Sequence, residues 1–181
     1  MERYGGGAII VRNYDPEWPR LFEEERARVQ AALGSVVSAV EHVGSTAVPG
    51  LAAKPIIDIL VGVESLSTAR ASCVEPLAAL GYTYVAEYES WLPGELFFRK
   101  GIPGPWTHHA HVMERENPRW SGLILFRDYL RRHLEVARAY ATLKEALALV
   151  FEDDIGGFRN GKAPFVQAVM EKARREHEQG I

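Results

Sequence analysis

The stretch Pro55 to Val63 constrains this chain more than any other, because its centre reads Ile-Ile-Asp-Ile-Leu-Val. A near-continuous apolar run of that length predicts a strand buried on both faces. Such a strand needs neighbours on either side and cover above and below, so the chain must build a sheet flanked by helices. One charge, Asp58, sits inside it. A carboxylate taken out of water is expensive unless something pairs with it, and Asp58 is therefore the first residue that needs an explanation.

The rest of the chain supplies the other layers. Ala8 to Val11 is a short edge strand or N-terminal arm. Asp15-Pro16 reads as a helix entry, with Asp15 as N-cap and Pro16 at the first helical position. That helix runs to about Leu33 and stops at Gly34, burying Leu21, Phe22, Val29 and Leu33 and leaving Glu23, Glu24 and Glu25 solvated. Val36 to Val43 predicts a strand ending in the turn Gly44-Ser45-Thr46, and Pro49 to Ala53 a tight turn or a single helical turn. Ser65 to Leu80 predicts a helix. Tyr82 to Ala86, Leu96 to Lys100 and His108 to Glu114 are strand candidates, with a Gly101 to Pro105 loop between the last two. Beyond Pro118 helical periodicity takes over, at about Gly122 to Arg132, Leu134 to Glu152 and Ala163 to Glu178. The order predicts an α+β fold with α/β character, a mixed sheet flanked by helices. It forms one domain over 1–181, with a sheet part to about 118 and a helical part from about 119.

Composition narrows the function classes. The single cysteine, Cys73, excludes an intrachain disulfide and a cysteine-built zinc site, and its place in an amphipathic helix predicts a buried small hydrophobe. No apolar run reaches a membrane span, and the N-terminal residues do not read as a signal peptide, so the expected setting is cytoplasmic with no membrane partner. A net charge of −3 argues against a general nucleic-acid coat protein.

Several residues could carry chemistry. Gly44 lets a ligand approach the backbone, and the Ser45 hydroxyl with nearby amides can hold a phosphate. Asp58, facing that turn from the next strand, suits a divalent metal bound to the same phosphates. His109 and His111 are two apart, so on a strand both face one side, suiting metal ligation, phosphate binding or acid–base work. The bland alternative is a pair of exposed strand histidines. Glu41-His42 precedes the turn, so one of the two must face its side. Lys54 and Lys162 are either phosphate contacts or solvated lysines. Arg127, Arg131 and Arg138, spaced as one helical face, read as an ion-paired surface before a nucleic-acid platform.

The stretches YDPEWPRLFEEE (Tyr14 to Glu25), EHVGSTAVPGLAAKPIIDILV (Glu41 to Val61), HAHV (His109 to Val112), FRDYLRRH and YATLKEALA (Phe126 to Ala148) resemble the GrpB family, small proteins of the nucleotidyltransferase superfamily. They also resemble a domain fused behind dephospho-coenzyme A kinase in some bacteria. The resemblance implies a nucleotidyltransferase-like sheet whose pattern is Gly-Ser followed, roughly ten residues on, by Asp-x-Asp or Asp-x-Glu on a strand. Gly44, Ser45 and Asp58 match, but the second carboxylate is replaced by Leu60. Two-metal transfer needs carboxylates that bridge cations about 3.5–4 Å apart, and a leucine coordinates nothing.

Two expectations follow. In one, the protein is a metal-dependent nucleotidyltransferase. Gly44, Ser45, Thr46, Lys54, Arg127 and Lys162 would bind phosphate or nucleotide. Asp58, His109 and His111 would hold one Mg²⁺, Mn²⁺ or Zn²⁺, with Asp58, Glu41 and His42 as the catalytic residues. In the other, it is a ligand-binding module for a nucleotide or phosphorylated small molecule that has lost the chemistry.

Overall fold

The computed structural model describes residues 8–101 and 106–180. The N-terminal segment before Ala8 and the turn of the predicted Gly101 to Pro105 loop lie outside them. The elements are α1 (Trp18–Leu33), β1 (Val37–Val43), β2 (Ile57–Val63), α2 (Leu66–Ala79), β3 (Tyr82–Tyr84), β4 (Leu96–Gly101), β5 (Trp106–Glu114), α3 (Pro118–Arg132), α4 (Leu134–Phe151) and α5 (Ile155–Glu178). Short 3₁₀ turns cover Gly34–Val36, Ser45–Ala47 and Ala86–Ser90. The α+β expectation holds: five strands form one mixed sheet in the order β1-β2-β5-β4-β3, with β2 and β5 parallel and the other pairs antiparallel.

The Ile57–Val63 run is central in that sheet, as its apolar character requires. Ile57, Ile59, Val61 and Val63 face α1 and α2, packing with Phe22, Val29, Leu33, Cys73 and Leu77. Each such side chain contributes about 1.5–3 kcal/mol by leaving water. On the other face Leu60 packs with Val43, Met113 and Trp120 of α3. Gly62 lets that helix close in, since a Cβ there would stand 3.0 Å from the Trp120 ring. The helical part has its own core of Tyr129, Leu130, Tyr140, Val169 and Ala173, and it seats on Val48 and Leu51 of the β1–β2 connection. Trp120 covers one end of this face and leaves the Asp58 end open to the C-terminal helices. Cys73 is buried, and burial pushes its thiol up to about 11. No helix among the described residues is long and apolar enough to cross a membrane.

Several sequence expectations are corrected. Ala8 to Val11 forms no strand. Ile9 N–H donates to Glu152 O at 2.6 Å, and Arg12 pairs with Ala53 in an isolated bridge, so the segment is the arm of the two alternatives. Helix α1 starts at Trp18 because Pro19 has no N–H and fits only the first turn, where none is needed. Asp15 instead accepts from Glu17 N–H at 2.9 Å ahead of the helix. Glu25 is fully buried rather than solvated, reached by Lys100 Nζ at 2.7 Å from β4. The strand predicted to Ala86 ends at Tyr84. Helix α5 begins at Ile155, eight positions earlier than expected, and runs through Gly156, Gly157 and Gly161. Gly157 and Gly161 permit close helix packing, since Cβ atoms there would meet Phe151 at 2.3 Å and Leu147 at 2.5 Å on α4.

Candidate functional site

The register of β1 on β2 places Val43 opposite Asp58, so the turn after β1 folds directly onto that carboxylate. Gly44 has φ 74° and ψ −173°, a region essentially reserved for glycine. A Cβ at Gly44 would stand 2.2 Å from Asp58 Oδ2 and 3.0 Å from its Cγ. Glycine is thus required twice over, by backbone angle and by contact.

The parallel register of β2 and β5 sets Asp58 beside His109 and Leu60 beside His111, with these side chains on one face. His109 Nδ1 lies 3.2 Å from Asp58 Oδ1, and His111 Nε2 lies 3.9 Å from the same oxygen. Behind His111, its Nδ1 is 2.5 Å from Oε1 of Glu95, which immediately precedes β4. Arg119 Nε donates to Glu95 Oε2 at 2.7 Å. A chain of polar contacts therefore runs Arg119, Glu95, His111, Asp58, His109, alternating in charge from Arg119 to Asp58. Burial opposes charge on His111, but the bonds to Asp58 and Glu95 outweigh it and raise its pKa to about 9. Burial would likewise raise Asp58, yet the two imidazoles hold it well below the usual carboxylate range. At His109 burial prevails over Asp58, and its pKa is lowered.

These groups floor a cleft of about 470 Å³, within the range of small-molecule sites. Gly44, Ser45 and Thr46 form one lip. Tyr88, Phe97 and Trp106 supply aromatic wall, and α4 and α5 bring in Lys144, Phe158, Arg159 and Lys162. Six lining residues are Lys or Arg (Lys54, Arg99, Arg119, Lys144, Arg159, Lys162). Among the described lining residues Asp58 alone carries a carboxylate. The ammonium groups of Lys54 and Lys162 lie 5.9 and 4.6 Å from the centre of the buried Phe158 ring. Burial, then Lys54, lowers Lys162 to about 8. Burial, then Lys162, lowers Lys144 to about 7. Lys144 Nζ also donates to the carbonyl of Ala52 and sits over the Tyr140 ring, bracing the β1–β2 connection from α4.

Gly44, Ser45, Thr46, Lys54, Asp58, His109, His111 and Lys162 thus meet in one cleft. Thr46 contributes wall rather than a free hydroxyl, since its Oγ1 is 3.0 Å from His42 Nε2 and donates to Ile56 O at 3.3 Å. Glu41, His42 and Arg127 do not join them. Strand alternation turns His42 to the α1 face, stacked on Phe22 with ring centres 4.6 Å apart, and burial lowers its pKa to about 4. Glu41 stands opposite Leu60 and pairs with Arg127 at 2.8 Å. Arg127 is buried, bonded also to His42 O and Asp128. Arg131 donates to Ala47 O, and the chain leaves helix geometry at His133, so Arg127, Arg131 and Arg138 do not share a continuous helical face. Lys162 lies inside α5, two turns past its start.

Sequence reasoning missed Glu95, Lys144, Arg159 and the aromatic wall. Lys144 did leave a signal: it falls on the buried stripe of α4 with Ala137 and Tyr140, where a lysine is out of place. Glu95 left none, being one more charge ahead of an apolar strand.

A divalent metal is what the nucleotidyltransferase resemblance implies. Among the described residues, no group of three or more His, Cys, Asp or Glu could hold one. Leu60 is fully buried, Asp58 Oδ1 faces two imidazoles, and Oδ2 lies against Gly44. The donors stand as a hydrogen-bonded carboxylate–imidazole group and do not fit the metal.

Residues 8–172 match the family described as GrpB protein. The chain is 39% identical over 162 residues to the UPF0157 protein YqkA of Bacillus subtilis, covering 90% of this chain and 46% of that one. It is 35% identical to the glutamate-rich protein GrpB of Alkalihalophilus pseudofirmus, covering 91% and 95%. It is also 31% identical to a dephospho-CoA kinase of Mycolicibacterium paratuberculosis, of which it spans 44%. The crystal structure of conserved protein GrpB from Enterococcus faecalis superimposes with a TM-score of 0.85 at 36% identity, covering 93% of this chain and 99% of that one. The sheet order, the Gly44 turn seated on Asp58 and these matches lead to one conclusion: the chain belongs to the GrpB family.

Proposed function

We propose that the cleft binds a nucleotide or another phosphorylated small molecule. The observation that carries this reading is the concentration of cationic side chains. Six Lys or Arg line one cleft in which, among the described lining residues, Asp58 alone is a carboxylate, in a chain whose net charge is −3. Arg119 is paired with Glu95 and Lys144 is engaged with Ala52 O, but Lys54, Arg99, Arg159 and Lys162 still line the cleft. Cations gathered in a concave, partly desolvated space attract a polyanion more strongly than the same charges on an open surface. The Gly44-Ser45-Thr46 turn lines the same space, and Tyr88, stacked on the buried Phe97, and Trp106 add aromatic wall beside it. A cytoplasmic setting accords with such a ligand.

A second reading adds nucleotidyl transfer. It is favoured by the Gly44-Ser45 turn folded directly onto Asp58, although the imidazoles that hold Asp58 well below the usual carboxylate range make it a poor base for an attacking hydroxyl. Leu60 at the second carboxylate position favours binding without transfer.

A thermal-shift series on metal-stripped protein separates ligand classes, using the four nucleoside triphosphates beside their unphosphorylated nucleosides. Ligand at 100 times its dissociation constant adds about 2.7 kcal/mol, so triphosphates should raise the midpoint measurably and nucleosides should not. Equal shifts from nucleosides, or none from any phosphate ester, would overturn the proposal.

A further inference from the structure

We propose that this cleft takes its phosphate-bearing ligand as the free anion, without a bridging divalent cation, the ammonium groups of Lys54 and Lys162 standing in the cation's place. The inference rests on the reading of the cleft as a phosphate site and concerns how that site is charged.

Three observations carry it. First, Asp58 stands without the further ligands a metal needs, since among the described residues no group of three or more His, Cys, Asp or Glu could hold one. Its Oδ1 is within 3.2 and 3.9 Å of two imidazole nitrogens, the same nitrogens a metal would need, and its Oδ2 lies where any Cβ on Gly44 would collide with it. His111 sits between two carboxylates that favour its protonated form, with Glu95 Oε1 2.5 Å from Nδ1 and Asp58 Oδ1 3.9 Å from Nε2. A cation beside Asp58 would face that imidazolium. Second, the position that would bring a second carboxylate is Leu60, sealed under Val43, Met113 and Trp120. Third, Lys54 and Lys162 converge on the Phe158 ring, 5.9 and 4.6 Å from its centre, and neither has an ion pair among the described residues. Two like charges facing one desolvated space repel each other unless an anion arrives. Together they supply the two positive charges that a divalent metal would have brought.

The test is titration calorimetry with ATP and with inorganic tripolyphosphate, each in EDTA and in excess Mg²⁺, Mn²⁺ or Zn²⁺. The proteins are the native chain, Asp58→Asn and Lys162→Met, each first shown by its unfolding curve to be folded. The inference expects affinity in EDTA within about twofold of that with metal. It expects a loss of about tenfold in Lys162→Met, and unchanged to roughly tenfold tighter binding in Asp58→Asn, where a repelling charge has gone. Binding that appears only with metal, or that disappears in folded Asp58→Asn, would overturn the inference and leave the phosphate site standing. Absence of binding in every condition would overturn both.

Discussion

Gly44→Ala is the perturbation that probes the site's construction most sharply. At φ 74° and ψ −173° an alanine backbone is strained by about 1–3 kcal/mol. Its Cβ would also lie 2.2 Å from Asp58 Oδ2, so the carboxylate must leave its imidazole partners. Loss of a charge-assisted hydrogen bond costs about 1.5–3 kcal/mol. The sum is about 2.5–6 kcal/mol, which in a chain of this size lowers the unfolding midpoint by about 5–24 °C. A double-mutant cycle with Asp58→Ala isolates the contact. Without the carboxylate only the backbone strain and the milder 3.1 Å approach to the Asp58 Cβ remain, so Gly44→Ala should cost about 1–3 kcal/mol there. Denaturant unfolding of the four proteins measures both numbers. An equal cost in the two backgrounds would refute the claim that Gly44 is fixed by its contact with Asp58.

Two further predictions concern groups outside the cleft. His42 has a folded pKa near 4 against an unfolded value near 6.5, so the unfolded state takes up its proton first; stability is present above about pH 6.5 and is lost as pH falls towards 4, by about 3 kcal/mol. His42→Gln should flatten that acid limb in unfolding curves taken between pH 4 and 6.5, and an unchanged slope would refute it. Glu25→Gln leaves Lys100 without its buried partner and should destabilise by about 2–4 kcal/mol, with much of the loss recovered in Glu25→Leu/Lys100→Met. A cost below 0.5 kcal/mol, on the order of a surface change, would count against a buried pair.

How much of this was legible in the chain depended on which side chains announce their neighbours. Ile57 to Val63 could only be a central strand, and its one charge pointed to the site. Gly44-Ser45 and the His109–His111 alternation then lay on faces that a two-residue period predicts, and the structure brings them together. Glu41-His42 posed a choice of face that the sequence left open. The register resolved it by sending His42 to α1 and Glu41 to Arg127. Lys54 and Lys162 were visible but not their convergence, because that depends on how α5 crosses the sheet. The early start of α5 was hidden for the same reason, since Gly157 and Gly161, which admit α4, look in sequence like glycines that end a helix. Glu25 and Glu95 looked like ordinary surface acids; only Lys100, and His111 with Arg119, arriving from distant elements, make them interior ones.

The central claim is that phosphate-bearing ligand binds over the Gly44 turn and the Asp58–His109–His111 group. Amide and imidazole NMR resonances followed through an ATP titration test it residue by residue. The account predicts shifts at Gly44, Ser45, Lys54, His109, His111 and Lys162, with Glu41 and Glu25 unmoved. Saturating shifts clustered away from that cleft, or none at millimolar ATP, would contradict it.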